Sequence, residues 1–289
     1  MLVSNQTDIF ARRFGEFEAI KLLARIGWDA LDFSMFDKTG QNSILVRDDW
    51  REYAKSLRKT ADECGVFFNQ AHAPFASYVA GKDEYNTKIH AQIVRSIEIA
   101  GILGVDIIIV HPISLKASYE EQKELNLEFY NSLLPYCKQY GVKVALENMW
   151  GWSGETHSVT PAACSTAAEF VDYIDSLDRD WFCACLDIGH GEMQGSGALS
   201  SVELIKALGG DRLKALHVHD NDKIGDLHTL PFTRSINWND ITAALIEVNY
   251  SGIFTFEADN FIAGFPNDLS EAASKLMLEV GRYLVRDMK

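Results

Sequence analysis

Positive charge is what this sequence is short of. Against 41 Asp and Glu it carries only 27 Lys and Arg, a formal net charge of −14 at pH 7. A surface of that sign repels a phosphate backbone unless a local basic groove overrides it, so nucleic acid is disfavoured as a partner. The five cysteines (Cys64, Cys137, Cys164, Cys183, Cys185) form no CxxC pair and no disulfide-like framework. Their odd number fits a reducing compartment. The N-terminal Met-Leu-Val-Ser-Asn-Gln lacks the basic and apolar regions of a signal peptide. No apolar stretch approaches the roughly 18 or more residues of a membrane-spanning helix. The expectation is a soluble, cytoplasmic protein with no membrane partner. Also missing are a glycine fingerprint of the dinucleotide or P-loop type, a Gly-x-Ser-x-Gly elbow and a Cys–His dyad. There is no low-complexity linker and no close internal repeat.

What is present is a core. The 289 residues are 47% hydrophobic and 24% charged, enough for one large α/β barrel or two smaller domains. Short apolar runs recur, and each ends on a polar group able to bind metal. Phe67–Ala71 stops at His72, Ile107–Val110 at His111, Val142–Leu146 at Glu147 and Cys183–Leu186 at Asp187. Leu213–Leu216 runs into His217 and His219, and Ile253–Phe256 into Glu257. From His72 the steps are 39, 36, 40, 32 and 38 residues, close to one strand-plus-helix unit each.

Between these runs the pattern is helical. Phe14–Ile26 closes at Gly27, Asp48–Cys64 at Gly65, Tyr85–Leu103 at Gly104 and Tyr119–Tyr140 at Gly141. Thr160 before Pro161 reads as a cap opening a helix to about Leu177. Further helices are expected from Ser200/Ser201 to Gly209-Gly210, over Asn237–Val248 and over Leu269–Val285. Leu2–Ser4 and Ala30–Ser34 supply the two remaining strands. Eight strands alternating with eight helices predict a single (β/α)8 TIM barrel across residues 1–289. A doubly wound sheet is the alternative, but it does not explain eight equal units. Cys183 and Cys185, two apart on one strand, should face the same side as reduced core residues.

In such a barrel the C-terminal strand ends form the active face, where the ladder of His, Asp and Glu falls. Glu147, Asp187, His219 and Glu257 close strands five to eight and become neighbours. Three carboxylates in one apolar-walled mouth repel strongly unless a cation neutralises them. This hard, oxygen-rich set suits a catalytic Mn²⁺, Mg²⁺, Co²⁺ or Zn²⁺. His217 competes with His219, because residues two apart share a face; His219 is preferred as nearer the strand end, with His217 a substrate contact or core histidine. His72, His111 and His190, with Asp226 and His228, are additional metal ligands or substrate-binding groups for a polyhydroxylated molecule. Trp28, Phe33, Phe36, Trp150, Trp152 and Phe232 fall near strand ends or loops, as aromatic walls for a sugar or as core.

His72-Ala-Pro, His111-Pro, Glu147-Asn, Leu186-Asp-Ile-Gly-His190, His217-Val-His-Asp-Asn-Asp222, Asp226-Leu-His228 and Phe256-Glu257 together resemble the xylose isomerase-like TIM-barrel superfamily. That superfamily includes sugar isomerases and epimerases and the endonuclease IV-type enzymes. The epimerase resemblance implies that Glu147, Asp187, His219 and Glu257 bind one divalent metal. It also implies that the two glutamates form the acid/base pair and that His190 touches substrate. Gly151-Trp152-Ser153 stand where those enzymes carry a further substrate-binding Glu, and no Arg shortly follows His219. The endonuclease resemblance implies three zincs on His72, His111, Glu147, Asp187, His190, His219, Asp226, His228 and Glu257. Against it stand the acidic balance and the loop Met35–Asn42, with one Lys and no Arg.

The resulting expectation is a divalent-metal-dependent isomerase or epimerase of a sugar or polyol-derived carbonyl compound. Glu147 and Glu257 would transfer protons through a metal-bound enediolate. An endonuclease IV-type enzyme, or a dehydratase or lyase sharing the enolate step, is the alternative. A non-catalytic sugar-binding relative would need ligands lost, and none of the four is. A homo-oligomer stays open.

Overall fold

The computed structural model describes residues 1–40 and 43–288, so Gln41 and Asn42 of the loop after the second strand lie outside it. Eight parallel strands form one sheet: β1 (Val3–Gln6), β2 (Ala30–Ser34), β3 (Phe67–His72), β4 (Ile107–Ile109), β5 (Lys143–Glu147), β6 (Phe182–Asp187), β7 (Leu213–His217) and β8 (Phe254–Phe256). From β1 to β7 each strand pairs with the next, and β8 pairs with β1, Val3 lying opposite Phe254. Val218, just past β7, bridges to Phe256. Its N–H donates to the Thr255 carbonyl at 2.9 Å, and Glu257 N–H donates to the Val218 carbonyl at 3.1 Å. An open doubly wound sheet has no such closure, so the chain is the expected single (β/α)8 barrel.

Three of the expected helices differ from their reading. The first, expected over Phe14–Ile26, begins at Glu16, and a separate helix, Asp8–Phe14, precedes it across Gly15, whose φ of +83° is a conformation that L side chains rarely adopt. Gly209 (φ +65°) likewise interrupts the helix assigned to Ser201–Arg212, where the glycine pair predicts its end. Third, Thr160 and Pro161 open no helix. They lie in an antiparallel hairpin of Trp150–Ser153 and Ser158–Pro161, and the next helix is Ala167–Asp175. Its cap is Thr166, whose hydroxyl accepts from Glu169 N–H at 3.3 Å. The Thr-x-x-Glu spacing is the true start signal, and Pro161 sits at the end of an edge strand, where a missing N–H is tolerated.

Apolar side chains such as Phe10, Leu23, Tyr130, Phe182 and Trp238 fill the space between sheet and helices. The barrel interior has two unlike walls. Ile109, Ala145, Cys183, Cys185 and Ala215 make a small apolar group on β4–β7. Both cysteines thus face inward as unpaired thiols, and burial raises Cys183 to about 12. The opposite wall is polar. Ser4 Oγ donates to Asn69 Oδ1 (2.6 Å), Asn69 Nδ2 to Thr255 Oγ1 (3.1 Å), Thr255 Oγ1 to Gln70 Oε1 (3.2 Å) and Gln70 Nε2 to Asp32 Oδ2 (3.0 Å).

Candidate active site

Strand ends of β3 to β8 and the loops beyond them bring all ten anticipated residues to one mouth. His72, His111, Glu147, His190, Asp226, His228 and Glu257 line a cavity of about 560 Å³. Asp187, His217 and His219 lie beneath it, fully buried.

The ten fall into four overlapping groups whose donor atoms lie within 4.8 Å of one another; one of them, His72, His217 and Glu257, bridges two of the others. His72, His111 and Glu147 form the first. His72 Nε2 is 3.0 Å from His111 Nε2, which is 2.9 Å from Glu147 Oε2. Glu147, Asp187, His217 and Glu257 form the second. His217 Nδ1 is 2.8 Å from Glu147 Oε1 and 3.0 Å from Glu257 Oε2. His190, His219, Asp226 and His228 form the third. Asp226 Oδ2 is 3.3 Å from His190 Nε2, and Asp226 Oδ1 is 3.1 Å from His228 Nε2. Glu147 therefore belongs to the first two groups. Asp187 links the second to the third, because its Oδ1 is 3.0 Å from His219 Nε2.

Both histidines of the seventh strand reach the expected carboxylates: His217 lies among Glu147, Asp187 and Glu257, while His219 meets the same Asp187 at 3.0 Å. β7 ends at His217, and after Val218 the chain leaves the ladder. His219 is thereby carried to the far side of Asp187, where its ring stacks on His228 at 4.0 Å. Asp226 and His228 do meet at one point, as their Asp-x-His spacing implies.

Burial and charge set the protonation of this cluster. Burial pushes Glu147 up, but the His217 and His111 imidazoles outweigh it and hold the carboxyl well below its ordinary range. Glu257 is lowered for the same reason, against the pull of burial, mainly by His217. His228 is drawn down by burial yet held at about 10 by the Asp226 carboxylate beside it. Histidine cations are thus the only countercharge this cluster supplies for itself. The residues fit a divalent cation better than they fit each other. Glu147 Oε2 and Asp226 Oδ1, both buried, accept no hydrogen bond although each lies within 3.1 Å of an imidazole nitrogen. His217 Nε2 and His219 Nδ1 are also without a partner. Close contact without hydrogen-bond geometry is what atoms converging on a shared ion show.

Several positioning residues escaped the sequence reading. Gln6, from β1, donates to Glu257 Oε1 at 2.6 Å. Asn148 clamps Asp187, accepting from its N–H at 2.8 Å and donating to its carbonyl at 3.0 Å. Its own carbonyl meets His190 Nδ1 at 2.9 Å. The only signal for Asn148 was its place directly after Glu147. At the rim, Asp8 pairs with Arg12 at 2.6 Å, and both line the cavity with Asp259. Among the anticipated aromatics Phe36 and Trp150 line the cavity and Phe75 joins them. Trp28 and Phe33 are core, while Trp152 and Phe232 are exposed.

Residues 20–279 match the family described as xylose isomerase-like TIM barrel. An uncharacterized protein of Methanocaldococcus jannaschii is 29% identical over 195 residues, 65% of this chain and 64% of that protein. The chain spans 50% and 64% of the length of the curated relatives it matches. Among solved structures, a D-tagatose 3-epimerase-like protein superposes with a TM-score of 0.75 at 19% identity, covering 100% of both chains. The IOLI protein with a bound zinc atom superposes at 0.73 and 17% identity, over 100% of this chain and 99% of that one. Identities this low speak to the fold alone. With nine-tenths of its length matched by the family, the chain belongs to the xylose isomerase-like TIM-barrel family.

Proposed function

We propose that this protein is a divalent-metal-dependent isomerase or epimerase of a sugar or polyol-derived carbonyl compound. The observation that carries the reading is the placement of Glu147 and Glu257. They close β5 and β8, three steps apart around the ring, and both reach the cavity while Asp187 and His217 lie beneath. A divalent cation held by Glu147, Asp187, His219 and Glu257 would supply positive charge to a substrate carbonyl and its neighbouring hydroxyl. One glutamate then takes the proton from the carbon beside the carbonyl. The C–H electron pair becomes a carbon–carbon double bond, and the carbonyl pair moves onto oxygen. Return of a proton from the opposite glutamate inverts that carbon; return to the neighbouring carbon interconverts aldose and ketose. His190, Asp226 and His228 would bind substrate hydroxyls or a further cation. Phe36, Phe75 and Trp150 offer apolar faces to a sugar ring. That sugar epimerases share the fold supports the substrate class. Incubation with a panel of sugars in D₂O tests the reading: solvent deuterium should enter the carbon that is inverted or isomerised. No exchange with any sugar, under metal-saturated conditions, would overturn it.

The adjoining donor groups favour a second reading, a three-zinc phosphodiester hydrolase of the endonuclease IV type. The mouth argues against it. Asp8, Asp226, Glu257 and Asp259 line the rim, and among the described lining residues the one Lys or Arg is Arg12, already paired with Asp8. Three zincs per chain together with incision of an abasic duplex would promote this reading over the first.

A further inference from the structure

We infer that the mouth continues into a second sugar subsite beyond β1 and β2, and that the substrate is a neutral reducing disaccharide whose far unit lies there. The inference rests on the isomerase or epimerase reading of the first cavity.

Beside the cavity that holds the donor groups lies another of about 480 Å³. Both volumes fall in the range of small-molecule sites, roughly 300–1,000 Å³, so the second adds room nearly equal to the first. Asp8, Arg12 and Phe36 line both. The chain builds this divide simply. β1 leads into the helix Asp8–Phe14, where Asp8 and Arg12, four residues apart, share one face. β2 ends at Ser34, and Phe36 follows it. The Arg12 side chain is 64% exposed, so the divide is a low sill and the two hollows form one trough. Gly15 turns the chain on the far side, and Glu16 there faces Tyr53 of the helix Trp50–Cys64.

The lining selects the occupant. Arg12 is the one Lys or Arg among the described residues of the second cavity, and Asp8 neutralises it at 2.6 Å. Glu16 and Asp37 add further acids, so a phosphate or carboxylate on the far unit would be repelled. Ser34 supplies a second kind of signal. Its Oγ is buried and has no hydrogen-bond partner among the described residues, a state that a ligand hydroxyl would relieve. Burial raises the Glu16 carboxyl while the Tyr53 hydroxyl opposes the rise, and both groups stay on the cavity wall. An apolar substituent would strip water from these polar groups and return no hydrogen bond. A second sugar ring offers hydroxyls to them and its C–H face to Phe36. Only the reducing unit of a disaccharide opens to the carbonyl that proton transfer requires. That unit therefore occupies the donor-group cavity, and the glycosidic bond crosses Asp8 and Arg12.

The test uses the full chain, metal-saturated in D₂O, with matched sugars: glucose against maltose, cellobiose and isomaltose, and fructose against maltulose and lactulose. At least one disaccharide should show a kcat/KM about tenfold or more above its monosaccharide, because binding of the remote unit supports the reacting one. Tyr53→Phe and Glu16→Gln should each lower the disaccharide-to-monosaccharide ratio of kcat/KM about threefold to tenfold, the loss of one hydrogen bond. General destabilisation does not move that ratio, since one folded protein processes both sugars. Monosaccharides that exchange deuterium as well as every disaccharide, a ratio unchanged in both variants, or a preference for sugar phosphates overturns this inference alone. Exchange with no sugar at all overturns the functional reading and the inference with it.

Discussion

A side chain at position 189 would begin inside the His219 ring: a Cβ built on Gly189 lies 1.9 Å from His219 Cε1. Gly189 follows Asp187 in the first turn of the short helix Ile188–Glu192, and its lack of a side chain is what lets His219 stand beside Asp187. Gly189→Ala must therefore displace the imidazole. Overpacking of this kind costs about 1–3 kcal/mol, so calorimetry should register a lowered melting temperature. The variant should also lose affinity for any cation that depends on His190, Asp226 and His228. A variant with parental stability and metal content would show that the His219 position is dispensable.

Asp187 joins two donor groups, and its carboxylate also caps the Ile188–Glu192 helix by accepting from His190 N–H at 2.7 Å. Asp187→Ala should reduce the divalent metal retained after purification by about tenfold or more, since it removes a ligand and loosens a second group. Elemental analysis after gel filtration checks this. Metal content equal to the parent would remove Asp187 from the ligand set.

Metal-free protein should be most stable in mildly acidic solution. His228 titrates near 10 instead of 6.5, so its contribution is complete below about pH 6.5 and is lost as pH rises toward 10. Glu147 and Glu257 are depressed from 4.5, so theirs is complete above about pH 4.5 and is lost as pH falls below it. In chelator the melting temperature should peak between about pH 4.5 and 6.5. Added Zn²⁺ should stabilise increasingly as pH rises, because ligating histidines must be neutral. A metal-free melting temperature that climbs from pH 6.5 to 9 would contradict these charge assignments.

Glu147→Gln and Glu257→Gln keep volume and one acceptor oxygen but remove the proton-accepting carboxylate. Each should cost about 10²-fold or more in turnover at saturating metal, in line with general-base contributions. Kinetics on a sugar that exchanges deuterium decide it. Near-parental turnover in both variants would remove the glutamates from the chemistry.

The barrel and the location of its site were legible because a buried parallel strand writes itself as a short apolar run. The face where chemistry happens is where that run ends. Ile107–Val110 before His111 and Cys183–Leu186 before Asp187 announce both facts locally. Which histidine joins which carboxylate was not legible. His217 and His219 share a face by the two-residue period of a strand, and only the departure of the chain after Val218 separates them. The hairpin after β5 was hidden behind a Thr-Pro pair that also reads as a helix start. Gln6 looks, in sequence, like a single polar residue in a short strand. Its partnership with Glu257 comes from closure of the ring, which sets β1 beside β8. Local periodicity and strand-end chemistry are properties of contiguous residues, so the sequence by itself determined the fold class and the ladder. Which side chains meet is a property of residues far apart in the chain, 32 for Asp187 and His219 and 251 for Gln6 and Glu257, and only the tertiary structure decided it.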